Sequence, residues 1–350
     1  MKPKPPGCMG CPAAEVGLSF VPGVGPHDAK IALIGQGPGA DEAYLGSPFV
    51  GRSGQMLDSW IARAGLYRHQ LWIGNIVQCQ MPGNRPPRAD EVAHCRAAYW
   101  GPVVDQLPNL KVVVPVGVPA MQALVDPKAD SDWSGYVRRV DVGTDRSKEV
   151  YIIPVLHPAG IMRGNWASEP FQILCLKRAR TIAERGSWPT DDPRSPPPGA
   201  LLQPTLKEVE DWIAGVGPQG VSVDIETAGR HIVMVGMCRV ADLVPICIHF
   251  LTQGGQPYWA PQPWALVEHA LASILADPNV PKVFHNGQSF DVPILEANGF
   301  KVEGYLWDTL LMQHIAYAEM EKGLEHCARL YCGINPWKWT LDSDAGGEWK

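Results

Sequence analysis

The sequence predicts two α/β domains in series, and three observations carry that reading. Short apolar runs alternate with helical periodicity between residues 31 and 185, the pattern of a mostly parallel sheet with helices on both faces. A proline-rich stretch, from Trp188 through Pro193 and Pro196-Pro197-Pro198 to Pro204, then breaks the alternation and reads as an extended linker. Beyond it, Val221-Ser222-Val223-Asp224-Ile225-Glu226-Thr227 has a strict period of two and opens a second alternation. The expected boundaries are a first domain over 1–186, a linker over 187–205 and a second domain over 206–350.

In the first domain the strand signals are 31–34, 71–77, 111–116 and 150–156. Helical patterns lie over 54–64, 89–106, 120–125 and 170–185. The first strand runs into Gly35-Gln36-Gly37-Pro38-Gly39-Ala40-Asp41-Glu42, a loop where glycine lets the backbone turn sharply and approach a ligand. Ligands in such folds sit at the carboxyl ends of strands, where this loop, Asn75 and His157 all fall. In the second domain a helix over 206–216 precedes strands starting at 221, 231 and 243. Helices follow over 263–276, 289–298, 309–318 and 322–331.

Composition narrows the function. The chain has 350 residues, enough for two cores, and is 45% apolar and 19% charged, as globular proteins are. Its net charge of −6 excludes a generally basic nucleic-acid binder, so any DNA contact must draw on local cations. No apolar run is long enough to span a membrane, and Met1-Lys2-Pro3-Lys4-Pro5-Pro6 lacks the apolar core of a secretory signal. The nine cysteines are accordingly expected in a reducing compartment, as ligands or core residues rather than disulfides.

Four of those cysteines form a pattern. Cys8-x2-Cys11 stands in a Pro/Gly-rich arm, Cys79 follows the second strand, and Cys95 lies on the following helix. Four thiolates suit an iron–sulfur cluster or a zinc ion. Zinc sites more often use two close pairs, so one pair plus two singletons favours the cluster. Cys175, Cys238, Cys247, Cys327 and Cys332 fit no pattern and read as core or surface thiols.

Taken with Gly35–Glu42, four further features occur in order: Pro48-Phe49-Val50-Gly51, Asn75, Pro82-Gly83-Asn84-Arg85 and His157-Pro158-Ala159-Gly160. With the cysteines, these resemble the family 4 uracil-DNA glycosylases over residues 8 to 185. The resemblance implies a uracil-DNA glycosylase-like fold with a central parallel sheet, a [4Fe–4S] cluster on Cys8, Cys11, Cys79 and Cys95, and uracil-containing DNA as substrate. The family usually has Glu after the first loop glycine. Here Gln36 stands there and cannot act as a base, which leaves Glu42 as the loop's carboxylate.

The chemistry fits those residue types. Excision of a base makes an oxocarbenium-like sugar and a uracil anion, from a nucleotide flipped out of the helix. Phe49 offers a stacking face. Asn75 offers one donor and one acceptor, matching uracil O4 and N3–H. His157 can donate to O2 as charge builds there. Glu42 with Asn84 would position water, Gln36 and Gly37 would line the base site, and Arg163 would grip phosphate beside an apolar wedge, Ile161-Met162. Arg52 and Arg85 would add to the local positive charge.

In the second domain, period two places Asp224 and Glu226 on one strand face, where a cation is needed between them. Phe284-His285-Asn286-Gly287 then leads through Phe290 to Asp291. These resemble the first two motifs of the DEDD 3′-5′ exonucleases attached to A-family DNA polymerases. The resemblance implies a ribonuclease H-like α/β fold and Mg2+ or Mn2+ on Asp224, Glu226 and Asp291. The family's third motif is not found. Asp308 reads as a helix N-cap, and Asp342 and Asp344 are poor substitutes. The chain is therefore expected to be a piece of a longer polymerase-like protein, with weak or absent nuclease activity.

The reading is thus a uracil-DNA glycosylase joined to an exonuclease-like domain. It is expected as a monomer in the cytoplasm of a bacterial or phage-infected cell, acting with a DNA polymerase domain or replication proteins. Two alternatives stay open: a module that binds uracil in DNA without excising it, and a non-catalytic replication scaffold with structural zinc.

Overall fold

The computed structural model describes residues 4, 6–13, 16, 18–188, 197–304 and 306–332. The chain divides into two compact units, 1–192 with 328–350, and 193–327. Residues 189–196 of the expected linker, together with Asp342, Asp344 and the rest of the C-terminal stretch, lie outside the described residues.

The first unit is built on a sheet of β1 (Ile31–Gly35), β2 (Trp72–Asn75), β3 (Val112–Pro115), β4 (Arg138–Val142) and β5 (Lys148–Ile152), in the order β2-β1-β3-β5-β4. All neighbouring pairs are parallel except β4 with β5. β1 is buried along its whole length, as expected of an apolar run in a sheet covered on both faces. β4 was not foreseen. Its sequence, Arg-Arg-Val-Asp-Val, is charged because it forms the sheet's edge, where exposed Arg138 and Arg139 discourage further pairing.

The helices of this unit are α1 (Ala40–Leu45), α2 (Arg52–Arg63), α3 (Ala89–Cys95), α4 (Gly101–Asp105), α5 (Val118–Leu124), α6 (Pro158–Met162) and α7 (Glu169–Arg185). A π-helical turn, Arg96–Trp100, joins α3 to α4, so the helical stretch expected over 89–106 is present but widened in its middle. Buried Arg178 on α7 donates to the carbonyls of Gly135, Arg329 and Leu330, which fastens the turn Ala328–Cys332 into this unit.

The second unit contains α8 (Leu206–Ala214), α9 (Pro261–Ala276), α10 (Asp291–Ala297), α11 (Thr309–Ala316) and α12 (Leu324–Cys327). Its sheet is β6 (Val221–Ala228), β7 (His231–Arg239), β8 (Pro245–His249), β9 (Lys282–Phe284) and β10 (Leu306–Asp308), in the order β10-β9-β6-β7-β8. β6 to β8 form an antiparallel meander, and β9 and β10 add in parallel. The period of two in β6 holds. Val221, Val223 and Ile225 are buried, while Asp224 and Glu226 lie on the open face. Three-residue β10 escaped the sequence reading because so short a run carries no periodicity.

Candidate active site

Strand register assembles the site. Gly35 pairs directly with Asn75, and Val116 bridges Val155 two residues before His157. The loops after β1, β2, β3 and β5 therefore open side by side at the carboxyl edge of the sheet. They enclose a cleft of about 820 Å³. Gln36, Gly37 and Glu42 line it from the first loop, Phe49 from the second, Asn75 and Asn84 from beyond β2, and His157 and Arg163 from beyond β5. All eight residues expected in the first domain's substrate site are thus brought together. Sequence reasoning missed Ser53, Met81, Gly117, Ser131 and Asn165, which line the same cleft and belong to no motif.

The close approach explains the first glycine. A Cβ on Gly35 would lie 2.5 Å from Asn75 Oδ1 and 2.6 Å from the Phe49 ring. Phe49 itself sits at φ 52°, a left-handed conformation that costs a bulky residue on the order of 1–3 kcal/mol. Its ring is buried, with its centroid 6.1 Å from that of His157 and the planes 31° apart. The Phe49 ring offers a planar base one face to stack on.

Glu42 holds Phe49 in place. Its Oε2 accepts from Gly39 N–H at 3.0 Å, and Oε1 accepts from Val50 N–H at 3.2 Å and Gly51 N–H at 3.0 Å. Hydrogen bonds to an ionised group are the strong ones, about 1.5–3 kcal/mol each. Glu42 therefore has a structural duty beside the water-positioning role expected of it. The carboxylate is committed to three backbone donors and clamps the segment just past Phe49 against the first loop. Asn84, also left-handed at φ 53°, accepts from Gln80 Nε2 at 3.0 Å through its Oδ1, which leaves its amide N–H groups to face the cleft.

His157 is the N-cap of α6, and its Nδ1 accepts from Ala159 N–H at 3.2 Å. The ring proton must then sit on Nε2. Burial, then the nearby Arg163, holds this imidazole below its ordinary pKa, with Glu42 opposing. The result is a neutral ring with one N–H to donate. Asn75 is buried at the end of β2, and among the described residues its side-chain amide has no partner.

Two further expectations change. Arg85 makes a two-pronged pair with the fully buried Glu91, at 2.9 and 2.7 Å, so it braces the Pro82–Asn84 turn rather than offering charge to DNA. Hydrogen bonds from Arg85 and Arg88 hold the Glu91 carboxyl at about 2. Ile161 is fully buried near the C-terminal end of the short helix α6 and cannot act as a wedge. Arg163 is exposed at the cleft, and Arg52 is exposed at the head of α2.

Cys8, Cys79 and Cys95 are buried and Cys11 is half-buried. Burial pushes the Cys79 thiol up to about 11, with Lys4 opposing and Cys8 and Cys11 adding to the rise. Burial likewise pushes Cys95 up to about 12, opposed by the Gln78 N–H and reinforced by Cys79, Cys11 and Cys8. All four thiols therefore stand within electrostatic reach of one another. Three accept hydrogen bonds or short contacts: Cys8 with Tyr99 Oη at 3.0 Å, Cys11 from Ala13 N–H at 3.4 Å, Cys95 from Gln78 N–H at 3.3 Å. Such donors suit thiolates. Among the described residues no three His, Cys, Asp or Glu side chains are close enough to share one metal ion.

The same finding bears on the second unit. Asp224, Glu226 and Asp291 gather at one end of the sheet but do not form a single-ion site. Asp291 Oδ1 instead accepts from Ile225 N–H at 3.1 Å. Burial, then Asp224, pushes the Asp291 carboxyl up to about 6. Asp308 is the N-cap of α11, as expected, accepting from Leu310 and Leu311 N–H and also from Asn286 N–H.

Residues 22–178 match the family model of the uracil DNA glycosylase superfamily, and residues 204–345 match that of a 3′-5′ exonuclease. A type-4 uracil-DNA glycosylase of Thermotoga maritima is 31% identical over 189 residues, covering 51% of this chain and 90% of that protein. One of Archaeoglobus fulgidus is 32% identical over 187 residues, covering 50% and 92%. Among solved structures, an RNase D of Trypanosoma brucei in complex with RNA is 19% identical at a TM-score of 0.33, covering 42% of this chain and about half, 51%, of that one. The POL domain of Pol1 from M. smegmatis is 23% identical at a TM-score of 0.31, covering 40% and 24%. The exonuclease assignment rests on the family model alone.

Proposed function

The chain belongs to the type-4 uracil-DNA glycosylases, and from that premise we propose that its first unit excises uracil from DNA through the cleft built on Asn75, Phe49 and His157. No helix among the described residues is long and apolar enough to cross a membrane. The second unit is an exonuclease domain by its family match.

The extruded base stacks on the Phe49 ring, with the edge of His157 turned toward its O2. Asn75 donates through Nδ2 to O4 and accepts N3–H through Oδ1, a pattern cytosine cannot offer because its exocyclic amine replaces the O4 acceptor. As the N-glycosidic bond lengthens, negative charge gathers on the leaving uracil. Nε2–H of neutral His157 donates to O2 and stabilises that charge inside a site shielded from water. Glu42 keeps the loop closed on the base, and its charge favours the cationic sugar. Water, held by the Asn84 amide and Gln36, then bonds to the anomeric carbon and gives up its proton to the departing uracil anion. Arg163 and Arg52 meet the phosphates.

Cys8, Cys11, Cys79 and Cys95 would hold a [4Fe–4S] cluster, which when bound supplies a rigid cross-link between the N-terminal arm, the turn after β2 and α3. A divalent cation in the second unit would draw in Asp224, Glu226 and Asp291.

The observation that carries the reading is the His157 geometry: a half-buried, neutral imidazole lining the cleft with one N–H to donate. The test is a uracil-bearing oligonucleotide treated with protein and then alkali. Strand breakage at uracil alone is expected, and it should be lost in His157→Ala. Intact DNA with iron-loaded wild-type protein would overturn the reading, and retained binding in that case would favour a module that recognises uracil without excising it.

A further inference from the structure

The arm bearing Cys8 and Cys11 is fastened by the helical stretch that follows the second strand. His94 Nε2 lies 2.9 Å from Gly7 O, and Tyr99 Oη lies 3.0 Å from Cys8 Sγ. Tyr99 belongs to the π-helical turn Arg96–Trp100, where one extra residue per turn redirects the side chains past Cys95. Its ring packs on Phe20, with centroids 5.2 Å apart, and Phe20 in turn bridges Cys79 through the backbone. Gly7 leaves room for the hydroxyl, since a Cβ there would come within 3.1 Å of it.

Among the described residues the other donors to these sulfurs are backbone N–H groups, of Ala13 and Gln78. Tyr99 reaches Cys8 with a side-chain hydroxyl. When Cys8 is a thiolate it has no proton to give, so the phenol must donate. A hydrogen bond to a ligand sulfur stabilises negative charge on the centre, and more strongly in the reduced state, which carries one more electron.

We propose that Tyr99 tunes the four-cysteine centre: its O–H bond to Cys8 raises the reduction potential, and its ring shields that corner from oxidant. The inference rests on the cluster reading above. The need for shielding comes from the arm's position, since Met9 is 83% exposed and Cys11 is only half-buried.

The test uses full-length protein purified without air, as wild type, Tyr99→Phe and Gly7→Ala. Tyr44→Phe, at a tyrosine 89% exposed, is the control. Iron content, visible spectrum, reduction potential and the rate of bleaching by dissolved oxygen are measured on each. Tyr99→Phe is expected to keep its iron, move to a more negative potential and bleach several-fold faster, while Tyr44→Phe matches wild type. Gly7→Ala, which crowds the hydroxyl, should move the potential the same way by less. Equal potentials in iron-loaded wild type and Tyr99→Phe overturn the proposal. If Tyr99→Phe holds no iron, an unchanged potential in Gly7→Ala overturns it instead. A wild type without iron sinks the cluster reading itself, and this proposal with it.

Discussion

In the first unit the groups that face the base are uncharged, and they converge on one cleft. In the second, Asp224 and Glu226 on the central strand β6 lie near Asp291 at the head of α10, three carboxylates of like charge. Neutral donors such as the Asn75 amide and the His157 N–H can be buried without a counter-charge, so the fold can place them in advance. Clustered carboxylates repel, and the fold alone cannot hold them at bonding distance. Asp291 shows the consequence, turning to the Ile225 N–H with its carboxyl raised to about 6. The first site is built from neutral groups, while the second gathers like charges.

The sharpest break of that contrast comes from removing a preorganised group. His157→Ala and Asn75→Ala should each lower single-turnover uracil excision by about 10²–10³, the usual loss for one donor at developing charge. Rates within a few-fold of wild type would show that the cleft does not act as described.

Glu42 tests whether preorganisation is a matter of holding the loop. Glu42→Ala should lower the stability of the first unit by on the order of 3 kcal/mol, and Glu42→Gln, which keeps one acceptor oxygen, by roughly half that. Melting temperature and excision rate should fall together. A Glu42→Gln protein that is fully stable yet dead would leave positioning water as the residue's main role.

For the second unit the prediction has the opposite sign. Asp291→Asn removes a charge that the fold disfavours, so at pH 7.5 it should raise stability by about 1–2 kcal/mol. The folded carboxyl titrates near 6 against 3.8 for the ordinary group. Between those values the native state binds more protons, and stability falls as pH rises through that window. Added Mg2+ should reverse the order, stabilising wild type but not Asp291→Asn, and equal thermal shifts in both would remove this aspartate from any cation site.

The smallest effect concerns His157. Its folded pKa lies below 6.5, so between the two values only the unfolded state takes up the proton. This group's contribution to stability is full above 6.5 and declines as pH falls through the depressed value. The donor stays neutral through the same range, and kcat/KM should be flat from pH 8 to below 6.5. A fall in kcat/KM centred at 6.5 or above would show that His157 titrates as an ordinary imidazole.

The cleft's membership was legible in the chain because glycine loops and strand-end Asn and His sit where local geometry demands them. The duties of the charged residues were not. Glu42 and Arg85 read as free groups in a one-dimensional string, and only the folded chain brings Val50 N–H to the first and buried Glu91 to the second. Edge strand β4 was hidden for a related reason, since its charges answer to a neighbouring strand and to solvent, not to its own periodicity.

Periodicity, turn chemistry and the order of motifs are properties of neighbouring residues, so the chain alone specified two α/β domains, the alternation of β6 and the membership of the cleft. Which nitrogen of His157 carries the proton, what occupies Glu42 and how near the acids of the second unit approach depend on partners distant in sequence. Those features were decided by packing, because hydrogen bonds and charge repulsion act across a few ångströms of space whatever the separation along the chain.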